Sequence, residues 1–139
     1  FNSFYPILLE NKKIHDAKPT HSVEELESID KLLPNRLNLL LVKKNNVIIG
    51  GTLLFVANLN TGIIFYNMID YKYKNLQTAT IQVLESIRWA RSMNLNFLDF
   101  GVSHIEENGD PTIPKMSLIK FKEEFNAFGQ MRTVYSKLF

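Results

Sequence analysis

Residues 47–70 read Val-Ile-Ile-Gly-Gly-Thr-Leu-Leu-Phe-Val-Ala-Asn-Leu-Asn-Thr-Gly-Ile-Ile-Phe-Tyr-Asn-Met-Ile-Asp. Two apolar runs rich in β-branched and aromatic residues flank a polar turn. Residues 47–57 and 63–70 therefore read as strands, with the turn over Asn58 to Gly62. The Gly50-Gly51 pair inside the first run signals a bulge or a close backbone approach. Upstream, residues 37–43 (Leu-Asn-Leu-Leu-Leu-Val-Lys) read as another strand. Asn45-Asn46 supplies a two-residue turn, because Asn tolerates positive φ. Three strands joined by short loops make an antiparallel meander.

Helical periodicity appears on both sides of this meander. Residues 3–14 place Phe4, Ile7, Leu8 and Ile14 near one helix face. A polar stretch from His15 to His21, with Pro19 inside it, follows. Ser22-Val23-Glu24-Glu25 has the form of a capping box. It opens a helix over 23–33 with Val23, Leu26, Ile29 and Leu33 inward, stopped by Pro34. Downstream, 76–93 is the longest helix. Ile81, Leu84 and Ile87 form an apolar face, Trp89 and Ala90 add to its buried side, and Arg88 and Arg91 lie outside. Asn94 stops it. Residues 96–100 read as a short strand, and strand, helix, strand in that order predicts a right-handed crossover with parallel pairing. A polar loop from Ser103 to Pro114 comes next. Pro114 is expected in the first turn of a helix over 115–126, with Gly129 ending it. Residues 130–138 alternate like a final strand. The predicted order is α-α-β-β-β-α-β-α-β, an α/β (α+β) chain with a mixed sheet.

Composition narrows the function classes. The 139 residues are expected to form one domain, with 45% hydrophobic and 22% charged residues, as in ordinary soluble proteins. Sixteen Lys+Arg against fourteen Asp+Glu give a net charge of +2, too little to point to nucleic acid. The chain has no cysteine, which removes disulfides, thiolate–zinc sites and a Cys nucleophile. His15, His21 and His104 find no third ligand at a metal spacing. No apolar run reaches the roughly 18 residues of a membrane helix. No G-x-S-x-G, P-loop, H-E-x-x-H or EF-hand pattern occurs. Residue 1 is Phe, so the chain is expected to begin inside a longer gene product.

The element order resembles that of the GNAT (general N-acetyltransferase) superfamily along essentially the whole chain. Leu98-Asp99-Phe100-Gly101-Val102-Ser103, followed by Ile119-Lys120-Phe121-Lys122-Glu123-Glu124-Phe125-Asn126-Ala127, is similar to the Fem-type branch of bacterial envelope and polysaccharide biosynthesis. Phe4-Tyr5 and Pro19 match the usual entry into that domain. The resemblance implies transfer of an acetyl or aminoacyl group to an amine, on an amino sugar or a cell-wall peptide, and a cytoplasmic location. It also implies a tandem arrangement in which this chain is the second, C-terminal domain. Homo-oligomerisation stays open.

In CoA-using members a basic, Gly-rich phosphate loop precedes the long helix. The matching stretch here, Tyr73-Lys74-Asn75-Leu76-Gln77-Thr78-Ala79, has neither glycine. Asn75, Gln77, Thr78 and Ala79 are the cofactor-binding candidates, since amides at a helix start bind phosphate. Met68 and Ile69 are candidates to offer backbone amides to an acyl carbonyl. The donor expected from the resemblance is acetyl-CoA or another acyl-CoA, with aminoacyl-tRNA, the Fem-type donor, as the alternative. A non-catalytic module that pairs with another domain or subunit is the second reading.

Four side chains are catalytic candidates. Asp70 ends the third strand and Asp99 the parallel one, where ligands collect in open sheets. Either carboxylate could deprotonate an amine, and either could serve only as a turn-former. His104 follows the parallel strand, and an imidazole is the natural proton shuttle. Tyr135 is a candidate general acid for a leaving thiolate. Lys120, Lys122 and Arg132 are read as a basic rim or a solvated face.

Overall fold

A computed structural model describes residues 1–14, 16–104, 112–131, 135, 137 and 138. It divides into two compact units, 1–101 and 102–139. In the first, helix α1 (Tyr5–Ile14) and helix α2 (Val23–Leu32) precede strands β1 (Leu37–Lys44), β2 (Val47–Val56) and β3 (Thr61–Ile69). A 3-10 turn (Tyr71–Leu76), helix α3 (Thr78–Ser92) and strand β4 (Phe97–Asp99) complete it. The sheet order is β1-β2-β3-β4. β1, β2 and β3 form the antiparallel meander, and β4 joins β3 in parallel. The mixed sheet read from the sequence is thus the sheet observed.

The turns form for the reasons expected. Asn45 and Asn46 both adopt positive φ, 48° and 65°. Ser22 caps α2 by accepting from the Glu25 amide, while the Glu25 carboxylate accepts from the Ser22 amide. Asn94 takes φ 56° just past α3, where a left-handed residue ends a helix.

Adjacent glycines on β2 face opposite layers, because successive strand residues point to opposite sides. A Cβ on Gly50 would meet Gln82 Nε2 at 2.8 Å and Thr78 Cγ2 at 2.9 Å, both on α3. A Cβ on Gly51 would meet the Phe4 ring at 2.6 Å. The pair therefore marks a double close approach. The nearby bulge sits one residue earlier, where Val42 and Lys43 of β1 face Gly50 and Ile48 and leave Ile49 extra. On the helix α1 and α2 side the core is Phe4, Leu8, Leu26, Leu53 and Tyr66.

The buried faces differ from expectation in two helices. α1 turns Leu8 and Asn11 inward and leaves Ile14 exposed. α3 exposes Ile81 and Leu84 and buries Thr78, Gln82, Val83, Ser86 and Ala90. The glycines of the sheet leave room for α3 side chains, Gly50 for Thr78 and Gln82 and Gly62 for the Trp89 ring. Leu33, expected inward, is also exposed. Arg88 and Arg91 lie outside as read, with Arg88 paired to Glu85.

In the second unit, helix α4 spans Met116–Glu123, shorter than the expected 115–126. Pro114 precedes it, bridged to His104 rather than opening the first turn. A turn over 124–126, with Asn126 at φ 58°, closes the helix before Gly129. Gln130, Met131, Tyr135, Lys137 and Leu138 lie in no strand. The remainder of the expected final strand, including Arg132, is outside the described residues, as is His15. Among the described residues, no helix is long and apolar enough to cross a membrane.

Candidate functional site

β3 and β4 make a fork. Their pairing covers only Thr61–Ile63 against Phe97–Asp99, while β3 runs on to Ile69. Between Leu53 and Leu54 the register with β2 shifts, and Phe65 is the extra residue on β3. Such a bulge bends its strand and increases the local twist. Past Ile63, β3 therefore has β2 on one edge and, among the described residues, no strand on the other.

Hydrogen-bond alternation shows which groups face that open edge. The Asp70 amide donates to Ile49 O at 2.8 Å, so the groups of Asp70, and by alternation those of Met68, face β2. Asn67 and Ile69 then turn their N–H and C=O the other way. The Met68 carbonyl also accepts from Gln82 Nε2 at 2.9 Å. Ile69 is met by a side chain of α1. Asn11 Nδ2 donates to Ile69 O, and Asn11 Oδ1 accepts from the Ile69 amide across a long 3.5 Å. Asn67 remains with no strand beside its edge-facing N–H and C=O among the described residues. Of the acyl-polarising candidates, Met68 thus points into the sheet and Ile69 is engaged by Asn11. Asn67, which the sequence reading passed over, presents the open amide.

Beyond β3, Asp70 caps the 3-10 turn by accepting from the Lys72 amide at 3.0 Å. Asn75 is exposed on that turn. Gln77 then adopts φ 51°, ψ 37° in the left-handed region, with no side-chain cap bond. The Thr80 and Ile81 amides bond back to Gln77 O at 3.0 and 3.2 Å. The Thr78 and Ala79 amides have no acceptor among the described residues, at the positive end of a helix of 15 residues. Thr78 Oγ1 and Gln82 Oε1 are buried with no hydrogen-bond partner among the described residues. Thr78 is 1% exposed, and a buried hydroxyl left unpaired is costly. Lys72 and Lys74 stand on the adjacent turn, and Lys44 lies over the Tyr73 ring at 5.9 Å.

Asp70 and Asp99 are not gathered together. Asp99 registers with Ile63 and accepts from the Gly101 amide at 2.7 Å. Asp70 lies seven residues past Ile63, about 23 Å along the chain at roughly 3.3 Å per residue. Asp99 is therefore at the fork and Asp70 at the start of α3. His104 and Tyr135 belong to the second unit, where Tyr135 is 90% exposed. There Lys122 Nζ donates to Val102 O and Ser103 Oγ, both at 2.8 Å, so it tethers its own loop. Lys120 is exposed.

No family model and no curated protein matches the sequence. Solved structures do match. One is an aminoglycoside acetyltransferase from an uncultured soil metagenomic sample, in complex with sisomicin. It aligns over 99% of this chain and 88% of its own, at 14% identity and a TM-score of 0.67. A ribosomal-protein-alanine N-acetyltransferase from Brucella melitensis biovar Abortus 2308 aligns over 99% and 92%, at 12% identity and a TM-score of 0.63. A GNAT family acetyltransferase from Elizabethkingia anophelis with acetyl-CoA bound aligns over 75% and 61%, at 20% identity and a TM-score of 0.53. Likeness at such identities establishes architecture, and the architecture of this chain is the GNAT fold.

Proposed function

We propose that the protein transfers an acyl group from an acyl-CoA thioester to an amine. The observation that carries this reading is the start of α3. A left-handed Gln77 precedes two backbone amides, those of Thr78 and Ala79, that have no acceptor among the described residues. Glycine is the usual residue for such a backbone, yet Gln77 adopts it, so the missing glycines do not remove the phosphate cradle.

The residues fit the donor. The Thr78 and Ala79 amides would hold its phosphates, and Lys72 and Lys74 would add charge. The open edge of β3 at Asn67 would pair with the amide groups of its arm, as a strand edge pairs with any extended amide chain. Bound there, the donor supplies an activated acyl carbon. The Asn67 amide is placed to donate to the acyl carbonyl. The two carboxylates flank Asn67 along the strand, Asp99 toward the fork and Asp70 toward the phosphate end. Solvent or the Tyr135 hydroxyl is the proposed proton source for the departing thiolate. The Asp99-Phe100-Gly101 turn and the 119–127 stretch support an amino-sugar or peptide amine as acceptor. The neighbour solved with acetyl-CoA supports a CoA donor over aminoacyl-tRNA.

Thermal unfolding with acetyl-CoA tests this. Ligand at about 100 times its dissociation constant adds roughly 2.7 kcal/mol and raises the midpoint by several degrees. The double variant Lys72→Gln/Lys74→Gln keeps the length of both side chains and removes their charge. It should weaken acetyl-CoA binding about tenfold or more, as expected for a lost bond to a charged group. No midpoint shift with acetyl-CoA, longer acyl-CoAs or CoA would overturn the reading and leave a non-catalytic module. A shift that the double variant does not change would remove the phosphates from this turn.

A further inference from the structure

One side-chain cluster on the α1 and α2 face of the sheet has no part in that donor site. His21 lies in the connection between α1 and α2, where Tyr5 Oη donates to its carbonyl at 3.1 Å. Its Nδ1 stands 3.3 Å from Tyr66 Oη. Its ring lies against Phe65, centroid to centroid 5.4 Å. Phe65 in turn packs on Tyr66 at 5.0 Å and Phe55 at 6.5 Å. Tyr66 is buried and belongs to the core, whereas His21 is half-buried. The second ring nitrogen, Nε2, has no hydrogen-bond partner among the described residues.

The position of this cluster matters more than its composition. Phe65 is the bulged residue of β3, just past the last β3–β4 pair at Ile63. The cluster therefore stands at the mouth of the fork. The α3 start, with its amides for the donor's phosphates, is on the opposite face, as the directions of Gly50 and Gly51 show. A donor lying along the open edge enters from the α3 face, so its acceptor comes from the face where His21 and Tyr66 stand. Asp99, by contrast, is tied to the Gly101 amide.

We propose that His21 takes the proton of the amine acceptor, with Phe65 holding the ring and Tyr66 as its positioning residue. The proposal rests on the acyl-transfer reading. In the tautomer that serves, Nδ1–H donates to Tyr66 Oη and Nε2 keeps its lone pair, an arrangement in which the partner of one nitrogen fixes the role of the other. The amine nitrogen forms its bond to the acyl carbon and gives a proton to Nε2. The carbon–sulfur bond breaks, the electron pair leaves on sulfur, and the thiolate takes a proton from solvent. The titratable and charged groups nearest the imidazole are few. β3 contributes Tyr66, α1 contributes Tyr5, and Glu24 and Glu25 lie in the first turn of α2, with Glu25 bonded to the Ser22 amide. The ion pair resolved among the described residues is Arg88–Glu85, on α3.

The test begins with the unaltered chain. Nitrogen NMR of histidine-labelled protein near pH 8 should show His21 protonated on Nδ1 and bare on Nε2; the reverse tautomer overturns the proposal. Acetyl-CoA binding is then measured by calorimetry, and thiol release with acetyl-CoA and sisomicin, glucosamine and an alanine-headed peptide is followed against pH. His21→Gln and His21→Asn should leave acetyl-CoA affinity unchanged. Both should lower kcat about 100-fold or more and remove the limb of the pH profile in the imidazole range. Tyr66→Phe should move that limb and lower kcat less. If acetyl-CoA does not bind, the acyl-transfer reading fails and this one with it. If it binds and thiol release stays at the uncatalysed rate with all three amines, only the histidine assignment is overturned. The histidine assignment also falls if both His21 variants keep the wild-type profile while Asp99→Asn abolishes turnover.

Discussion

Gly50 shows how much a single position in this chain decides. Any side chain there would press on Gln82 Nε2, on Thr78 Cγ2 and on Met68 O, the last at 3.0 Å. Gly50→Ala is therefore expected to lose about 1–3 kcal/mol through overpacking, read as a lower denaturant midpoint with unchanged slope. Because the clash falls on the residues of the α3 start, the same variant should also weaken acetyl-CoA binding in calorimetry. Gly50 and Gly51 were legible as a close approach, since glycine in a strand seldom has another use. Gln77 was not legible. Its left-handed backbone lies where the resemblance calls for glycine, and nothing in a Gln side chain announces positive φ. His21 and Tyr66 were hidden for a different reason: they are 45 positions apart, and only the packing of α1 and α2 on β3 brings them together.

Among the elements, α2 is the one whose start is fully explained by local chemistry. Both bonds of its capping box are present, so Ser22→Ala is expected to cost about 1 kcal/mol and lower the thermal midpoint by a few degrees. Glu24 in its first turn has its pKa held below the ordinary glutamate value by a backbone hydrogen bond and by the Ser22 side chain. A lowered carboxylate pKa adds stability that is present above the unfolded pKa and is lost as pH falls through the folded one. The Ser22→Ala penalty should accordingly shrink in acid, which melts run from pH 7 down to pH 3 would show. A wild-type advantage unchanged at pH 3 would contradict it. The strands were legible to within a residue or two because their turns carry Asn and Gly. The inward face of α3 was misread for a physical reason: hydrophobic periodicity selects Ile81 and Leu84, but the face turned to the sheet is the one whose Thr78, Gln82 and Trp89 fit the space left by Gly50 and Gly62. The fork was half legible. Parallel pairing followed from strand, helix, strand, but its length of three residues depends on the Phe65 bulge, which carries no sequence mark.

For the molecule as a whole, the distribution of burial is uneven. Every buried residue among those described lies in the first unit, and the described part of the second has none. Residues 1–101 are therefore expected to fold alone with a cooperative melt, while 102–139 alone should show no cooperative transition; circular dichroism of the two fragments checks both. The sheet inside that first unit also carries a hazard. An unpaired strand edge is a template on which a neighbouring chain can add a strand and begin a fibre. Asn11 bears on this directly. By spending its carboxamide on both backbone groups of Ile69, α1 closes the last rung of the ladder with a side chain. Among the described residues the edge-facing groups of Asn67 stay uncovered; without Asn11 the uncovered stretch would run on to Ile69, at the end of β3.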